Sequence, residues 1–163
     1  MIVKDAMVVI HLAKMTLLEG SCDYFRKVII PLKVYEEIIK GEGVYPDVVV
    51  VKDLITQKKI NVKEVKRKEL LNKANEFGIY GGEAEAIALY WQEKADYLAT
   101  DDDNVRKKNR ILDIKTIGTP AIVLKLYNEK MIKKEKLLDS LNELREIGWF
   151  SNAVIDRILM EVK

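Results

Sequence analysis

Cysteine and histidine are almost absent from this chain. Its single cysteine, Cys22, excludes an internal disulfide framework and a cysteine-rich zinc site. Its single histidine, His11, excludes a Ser-His-Asp triad unless His11 is itself the base. With only 8 Gly and 3 Pro, the chain is neither a collagen-like repeat nor a low-complexity linker. No apolar run approaches the roughly 18 residues of a membrane helix. The opening Met1-Ile2-Val3-Lys4-Asp5 carries no basic stretch followed by an apolar one, so the cytoplasm is the expected location, with no membrane partner. An excess of one charge is missing too. Lys+Arg 28 against Asp+Glu 26 leaves +2, too little for the whole surface to bind a polyanion.

What is present suits one folded domain. A chain of 163 residues, 48% apolar and 33% charged, is long enough to bury a real core. Short β-branched runs alternate with longer helical ones, the pattern of a parallel sheet covered by helices. Strands are expected at Ile2–Asp5, Val28–Ile30, Asn61–Val65, Tyr97–Thr100 and Ile114–Ile117. Between them, helices are expected at Ala6–Glu19, from Pro31 to Gly41, from Tyr45-Pro46 to Lys59, at Lys68–Phe77 and at Glu83–Lys94, then a basic one ending near Arg110. Three more, Thr119–Lys130, Lys134–Ile147 and Asn152–Val162, close the chain. The expectation is a single α/β domain over 1–163, with about 133–163 forming a helical C-terminal extension.

In an open parallel sheet, function gathers at the C-terminal edge of the strands. Acids fall at or near those edges: Asp5, the pair Glu36 and Glu37, the pair Glu83 and Glu85, and the run Asp101-Asp102-Asp103. Each has an ordinary explanation as a helix cap, a solvated helix residue or a partner of a helix dipole. Together they are harder to dismiss. Converging carboxylates repel one another and stay ionised only beside a cation. Hard divalent ions such as Mg²⁺ or Mn²⁺ take oxygen ligands and activate water toward a phosphodiester. Helical geometry leaves one choice open. Ala84, Ile87, Ala88 and Trp91 share a face, so Glu83 and Glu85 flank it on opposite borders and at most one points into a given site.

Gly82-Glu83-Ala84-Glu85-Ala86-Ile87-Ala88-Leu89 is the most distinctive segment. With Ile2-Val3-Lys4-Asp5-Ala6, with Glu37 followed four residues later by Gly41, and with Thr100-Asp101-Asp102, it resembles the PIN-domain ribonucleases. The branch that it resembles is the VapC-like one carrying a Gly-Glu-Ala-Glu-Ala segment. Ile117-Gly118-Thr119-Pro120 and Ile147-Gly148-Trp149-Phe150-Ser151 are similar to that branch's closing segments. The resemblance implies a three-layer fold with a central parallel sheet of about five strands. It also implies a Mg²⁺- or Mn²⁺-dependent endoribonuclease in which Asp5, Glu37, Glu85 and Asp102 are catalytic and hold the metal, with Asp101 as a helper. RNA, a homodimer and an antitoxin protein are the partners to expect, since the toxin half of a toxin–antitoxin pair is left open.

One departure motivates a second reading. Where the family often carries Ser, Thr or Asn two residues after the first Asp, this chain has Met7, whose thioether supports a carboxylate poorly. Activity reduced or lost is therefore the alternative, with the chain a silent PIN-like module that binds RNA or a protein. His11, Cys22, Trp91 and Trp149 read most simply as packing residues. The basic runs admit two readings, solvated helix faces or contacts to RNA through Lys66, Arg67, Lys68, Arg106 and Lys107. Their distribution matters. Residues 52–73 carry eight basic and three acidic side chains, residues 106–136 ten and three, and residues 83–103 one and seven. Near-neutrality is an average over an acidic segment between basic flanks.

Overall fold

Alternating buried side chains set the sheet. A computed structural model describes residues 1–41, 47–147 and 150–162. Its strands are β1 (Ile2–Lys4), β2 (Val28–Pro31), β3 (Ile60–Lys63), β4 (Tyr97–Ala99) and β5 (Thr116–Ile117). They form one five-stranded sheet in the order β3-β2-β1-β4-β5, and every pairing is parallel. In β1, Ile2 faces one side with Val28 and Ile30, while Val3 faces the other with Ile29 and Leu98.

Helices cover both faces, as the sequence pattern implied. On the Ile2 side lie α1 (Ala6–Lys14), α2 (Leu18–Phe25), α3 (Leu32–Lys40), α4 (Val48–Thr56) and, further along the chain, the last three helices. On the Val3 side lie α5 (Lys68–Glu76), α6 (Gly81–Glu93) and α7 (Asp103–Lys107). The last three helices are α8 (Thr119–Asn128), α9 (Lys134–Ile147) and α10 (Asn152–Glu161). Leu137, Leu141, Leu144, Phe150 and Ile155 join the same core cluster as Ile2 and Val8, so α9 and α10 pack into the body of the fold. The result is a three-layer α/β architecture. No helix among the described residues is long and apolar enough to cross a membrane.

Several boundaries shift by one to three residues, among them β3, β5 and the helix that opens at Gly81, and three helices differ in a way that matters. The helix expected at Ala6–Glu19 is two helices. Thr16, at φ 59°, turns the chain between α1 and α2, and the Leu17 N–H bonds back to the Leu12 carbonyl. Leu17 and Leu18 stay buried on restarting the helix, so apolar spacing runs unbroken through the turn. The basic helix expected to reach Arg110 stops at Lys107. The helix expected from Tyr45-Pro46 runs from Val48, and Tyr45 and Pro46 lie outside the described residues, as do Gly148 and Trp149.

Lys4 is the unexpected core residue. It follows Val3 and so points to the α1–α2 side, where it is fully buried. Its ammonium donates to the Ser21 hydroxyl and stands 5.6 Å from the centre of the Phe25 ring. Burial lowers its pKa to about 8.

Candidate active site

Strand order reverses around β1 and β4, which opens a crevice beyond their C-terminal ends. Register fills that crevice. Lys4 pairs with Ala99, and the Asp5 N–H donates to the Ala99 carbonyl at 3.0 Å, so Asp5 and Thr100 leave the sheet side by side. Asp5 caps α1, its Oδ1 accepting from the Val8 N–H at 2.9 Å. Asp102 caps α7 in the same way, its Oδ1 accepting from the Val105 N–H at 2.9 Å. Thr100 joins the two. Its side chain hydrogen-bonds the Asp5 carboxylate, and its Oγ1 accepts from the Asp102 N–H at 3.1 Å.

Asp5 is buried, and its pKa is raised to about 7. Desolvation is the main cause, and the nearby charges of Asp101 and Glu83 add to it. Glu83, at the crevice mouth in the first turn of α6, is also held above the usual carboxylate range. Partial burial is its first cause, followed by the charges of Asp102 and Glu37. Glu37, from α3, reaches the same place: an added Cβ on Gly82 would meet its Oε1 at 2.7 Å and its Oε2 at 2.8 Å. A glycine there leaves room for the carboxylate. Gly82→Ala is therefore expected to displace the flexible Glu37 arm, cutting activity about tenfold or more while thermal stability stays nearly unchanged. Paired melting and turnover measurements check this, and a large loss of stability would show that the glycine serves packing instead.

Four carboxylates, from β1, α3, α6 and the β4–α7 junction, thus share one crevice with a threonine between two of them. One family model, described as a PIN domain, matches the chain over residues 1–163. The chain belongs to the PIN-domain family. No curated protein and no solved structure gives a match. PIN domains are in general nucleases, hydrolases of phosphodiester bonds, and they typically use divalent metals.

Within this PIN domain, Glu85 lies elsewhere than Asp5, Glu37 and Asp102. Its Oε2 accepts from the Lys33 N–H at 3.3 Å, at the start of α3, and it lines a separate groove with Glu36 and Glu64. Glu83 is the member of the Gly-Glu-Ala-Glu pair that reaches the crevice. The reason is burial around α6. Ala84, Ile87 and Ala88 are buried as expected, but Ala86 and Leu89 are buried too, so the helix is enclosed on most sides. Its two glutamates emerge through different gaps. Sequence periodicity could not choose between them because it does not say which gap adjoins β4.

Asp101 has other work. Its Oδ1 accepts from the Thr119 N–H at 2.7 Å, and its Oδ2 accepts from the Thr119 hydroxyl at 2.5 Å and from His11 Nδ1 at 2.9 Å. Asp101 ties β4, α1 and α8 together and sets the direction in which the next residue, Asp102, leaves the strand. His11 is a packed residue, buried at 2% exposure with its ring 5.8 Å from Phe150. Trp91 is half-buried and donates from Nε1 to the Leu112 carbonyl at 3.0 Å. Cys22 is a buried free thiol.

The basic candidates fall in two places. Arg106 and Lys107 are on α7, directly after the Asp102 cap, and the Arg106 guanidinium lies near Gly118. Lys66, Arg67 and Lys68 are exposed at the β3–α5 junction, on the side of the Glu85 groove. Gln92 Oε1 holds that junction by accepting from the Lys66 and Arg67 N–H groups at 2.7 and 3.2 Å. Arg67 is partly occupied, its Nε donating to Glu69 at 2.8 Å.

The donor set suits a hard cation. Asp5, Glu37, Glu83 and Asp102 offer only oxygen, and no ion pair reaches any of them among the described residues. As they stand, no three His, Cys, Asp or Glu side chains among the described residues enclose an ion. Mg²⁺ does not need such a cage, because it keeps several waters and binds through one or two carboxylates. By chemistry, then, these residues fit a divalent ion.

Proposed function

We propose that the chain is a metal-dependent endoribonuclease that hydrolyses RNA phosphodiester bonds at the Asp5 crevice. The observation that carries this is the gathering of Asp5, Glu37, Glu83 and Asp102, uncompensated by any cationic side chain among the described residues, around a carboxylate whose pKa is raised to about 7 by burial. A bound Mg²⁺ or Mn²⁺ would lower the pKa of a water and offset charge on the phosphate. Asp5 and Asp102 would hold it, each oriented by its helix cap and by Thr100. Glu37 completes the negative field from α3. Glu83, at the mouth with a raised pKa, would take the proton of the attacking water. Arg106 and Lys107 supply positive charge beside the crevice for the RNA backbone, and Lys66, Arg67 and Lys68 supply it farther along.

The reading as a silent module starts from Met7. Thr100 weakens it, since its hydroxyl already bridges Asp5 and the Asp102 backbone and supplies support that a thioether lacks. Cleavage of a labelled RNA in Mn²⁺ separates the two readings. Asp102→Asn should lose at least about a hundredfold in rate while keeping its thermal midpoint within a few degrees. Wild-type protein that neither cleaves RNA nor binds Mn²⁺ in calorimetry would establish the silent module. A neighbouring reading frame encoding a small DNA-binding protein would extend the proposal to the toxin half of a toxin–antitoxin pair.

A further inference from the structure

Tyr80 stands at the lip of the crevice and has no role in the chemistry above. It is 65% exposed, and no other aromatic side chain is strongly exposed among the described residues. Exposure of so large a ring beside carboxylates needs a cause, because elsewhere in this fold aromatic rings are packed.

The segment that presents it is built. Ile79, just before it, is buried at 3% exposure and pins the loop to the core. The Lys108 ammonium donates to the Phe77 carbonyl at 2.6 Å and fixes the loop's other end to the α7 side. Gly78 at φ 74° and Gly81 at φ 63° turn the chain on either side in a region that side chains rarely adopt. Tyr80 itself is extended, at φ −135° and ψ 171°, and serves as the N-cap residue of α6. Its ring makes no side-chain hydrogen bond, ring contact or ion contact among the described residues. The backbone is held while one face of the ring is left to solvent.

The crevice explains what that face can meet. Tyr80, Glu83, Asp102 and Asn104 line a small cleft of about 80 Å³. The cleft is small and open, so a phosphate oxygen, an ion and water fit within it, while a flat ring is met at its lip. When a scissile phosphate sits at the carboxylates, the adjoining base must lie over the lip, where Tyr80 stands. We infer that Tyr80 stacks the nucleobase next to the scissile phosphate and so positions the strand, which requires that this nucleotide be unpaired. Asn104, which lines the same cleft, offers both a donor and an acceptor to the edge of that base. This inference rests on the proposed nuclease reading and adds a positioning residue to it.

The experiment is a stacking measurement rather than an activity assay. Wild-type protein is titrated, in a chelator that removes the divalent ion cleavage would need, into a short RNA carrying one 2-aminopurine in an otherwise pyrimidine strand. Fluorescence quenching and anisotropy are read together. Wild type and Tyr80→Trp should quench the probe. Tyr80→Ala should lose the quenching and bind about tenfold more weakly, the usual range for removal of one base–aromatic stack. Because Tyr80 is exposed, the variant should melt as wild type does. A duplex with the 2-aminopurine paired should not be quenched by wild type. Unchanged quenching in Tyr80→Ala, or none in wild type, overturns the inference even where Asp102-dependent cleavage is present. Lost quenching in Tyr80→Ala supports it even if the carboxylate variants show cleavage to be absent, so failure of stacking and failure of the nuclease reading are told apart.

Discussion

Glu83→Gln is expected to cut RNA cleavage by at least about a hundredfold, whereas Glu85→Gln should leave it within about threefold. The two residues are two positions apart on one helix and carry the same side chain, so the contrast isolates placement. Partial burial, with the charges of Asp102 and Glu37, raises the Glu83 pKa, and in the proposed role a group that accepts a proton in the transition state typically contributes 10²–10⁴-fold. Glu85 accepts one hydrogen bond from the Lys33 backbone at 3.3 Å, and a glutamine oxygen can accept the same bond. Neither variant removes core volume, so both should melt near the wild-type temperature. Equal losses in the two, or a larger loss in Glu85→Gln, would move the proton-transfer role away from Glu83 and back to the residue that the family resemblance selects.

That contrast marks where sequence reading stops. The five parallel strands were legible as short β-branched runs between helical ones, and Val28-Ile29-Ile30 also lacks the polar alternation of a half-solvated strand. Asp5 and Asp102 were legible as strand-end acids. A helix cap was the rival reading of Asp5, and of Asp102 or Asp103, and in the structure Asp5 and Asp102 are caps. The orientation of α6 was not legible. Periodicity finds one buried face, and a helix buried on most sides has no single face to find. Asp101 shows a related limit. An Asp in a run of three looks like a spare ligand, but its partners His11 and Thr119 come from 90 and 18 residues away in the chain. Thr100 was visible only as part of a short motif. Its hydroxyl offsets Met7 because strand register sets it beside Asp5, and register between residues so distant in sequence is a property of the sheet.

Asp5→Asn should make the metal-free protein more stable at pH 8 and no more stable at pH 4. Burial raises the Asp5 pKa from 3.8 to about 7 in the folded chain. Between those values the folded protein holds the proton and the unfolded chain has released it, so folded stability falls as pH rises. Above about pH 7 both states are ionised and the full cost of the buried charge remains. About three pKa units correspond to about 4 kcal/mol as an upper bound, or roughly ten degrees in melting temperature for a chain of this size. Asparagine is uncharged at every pH and can still accept from the Val8 N–H, so it escapes the cost at pH 8 and gains nothing at pH 4. Melts in a chelator at the two pH values measure the difference. Adding Mn²⁺ at pH 8 should then reverse the order: the wild type gains about 2.7 kcal/mol at a hundredfold excess over the dissociation constant, and the variant gains little. An Asp5→Asn advantage that is independent of pH would show that the buried charge is not what the substitution relieves. If Mn²⁺ stabilised both proteins equally, Asp5 would not be a ligand. A carboxylate that destabilises the empty fold and is stabilised by a divalent ion is held in place for the ion, since the fold alone would do better without its charge.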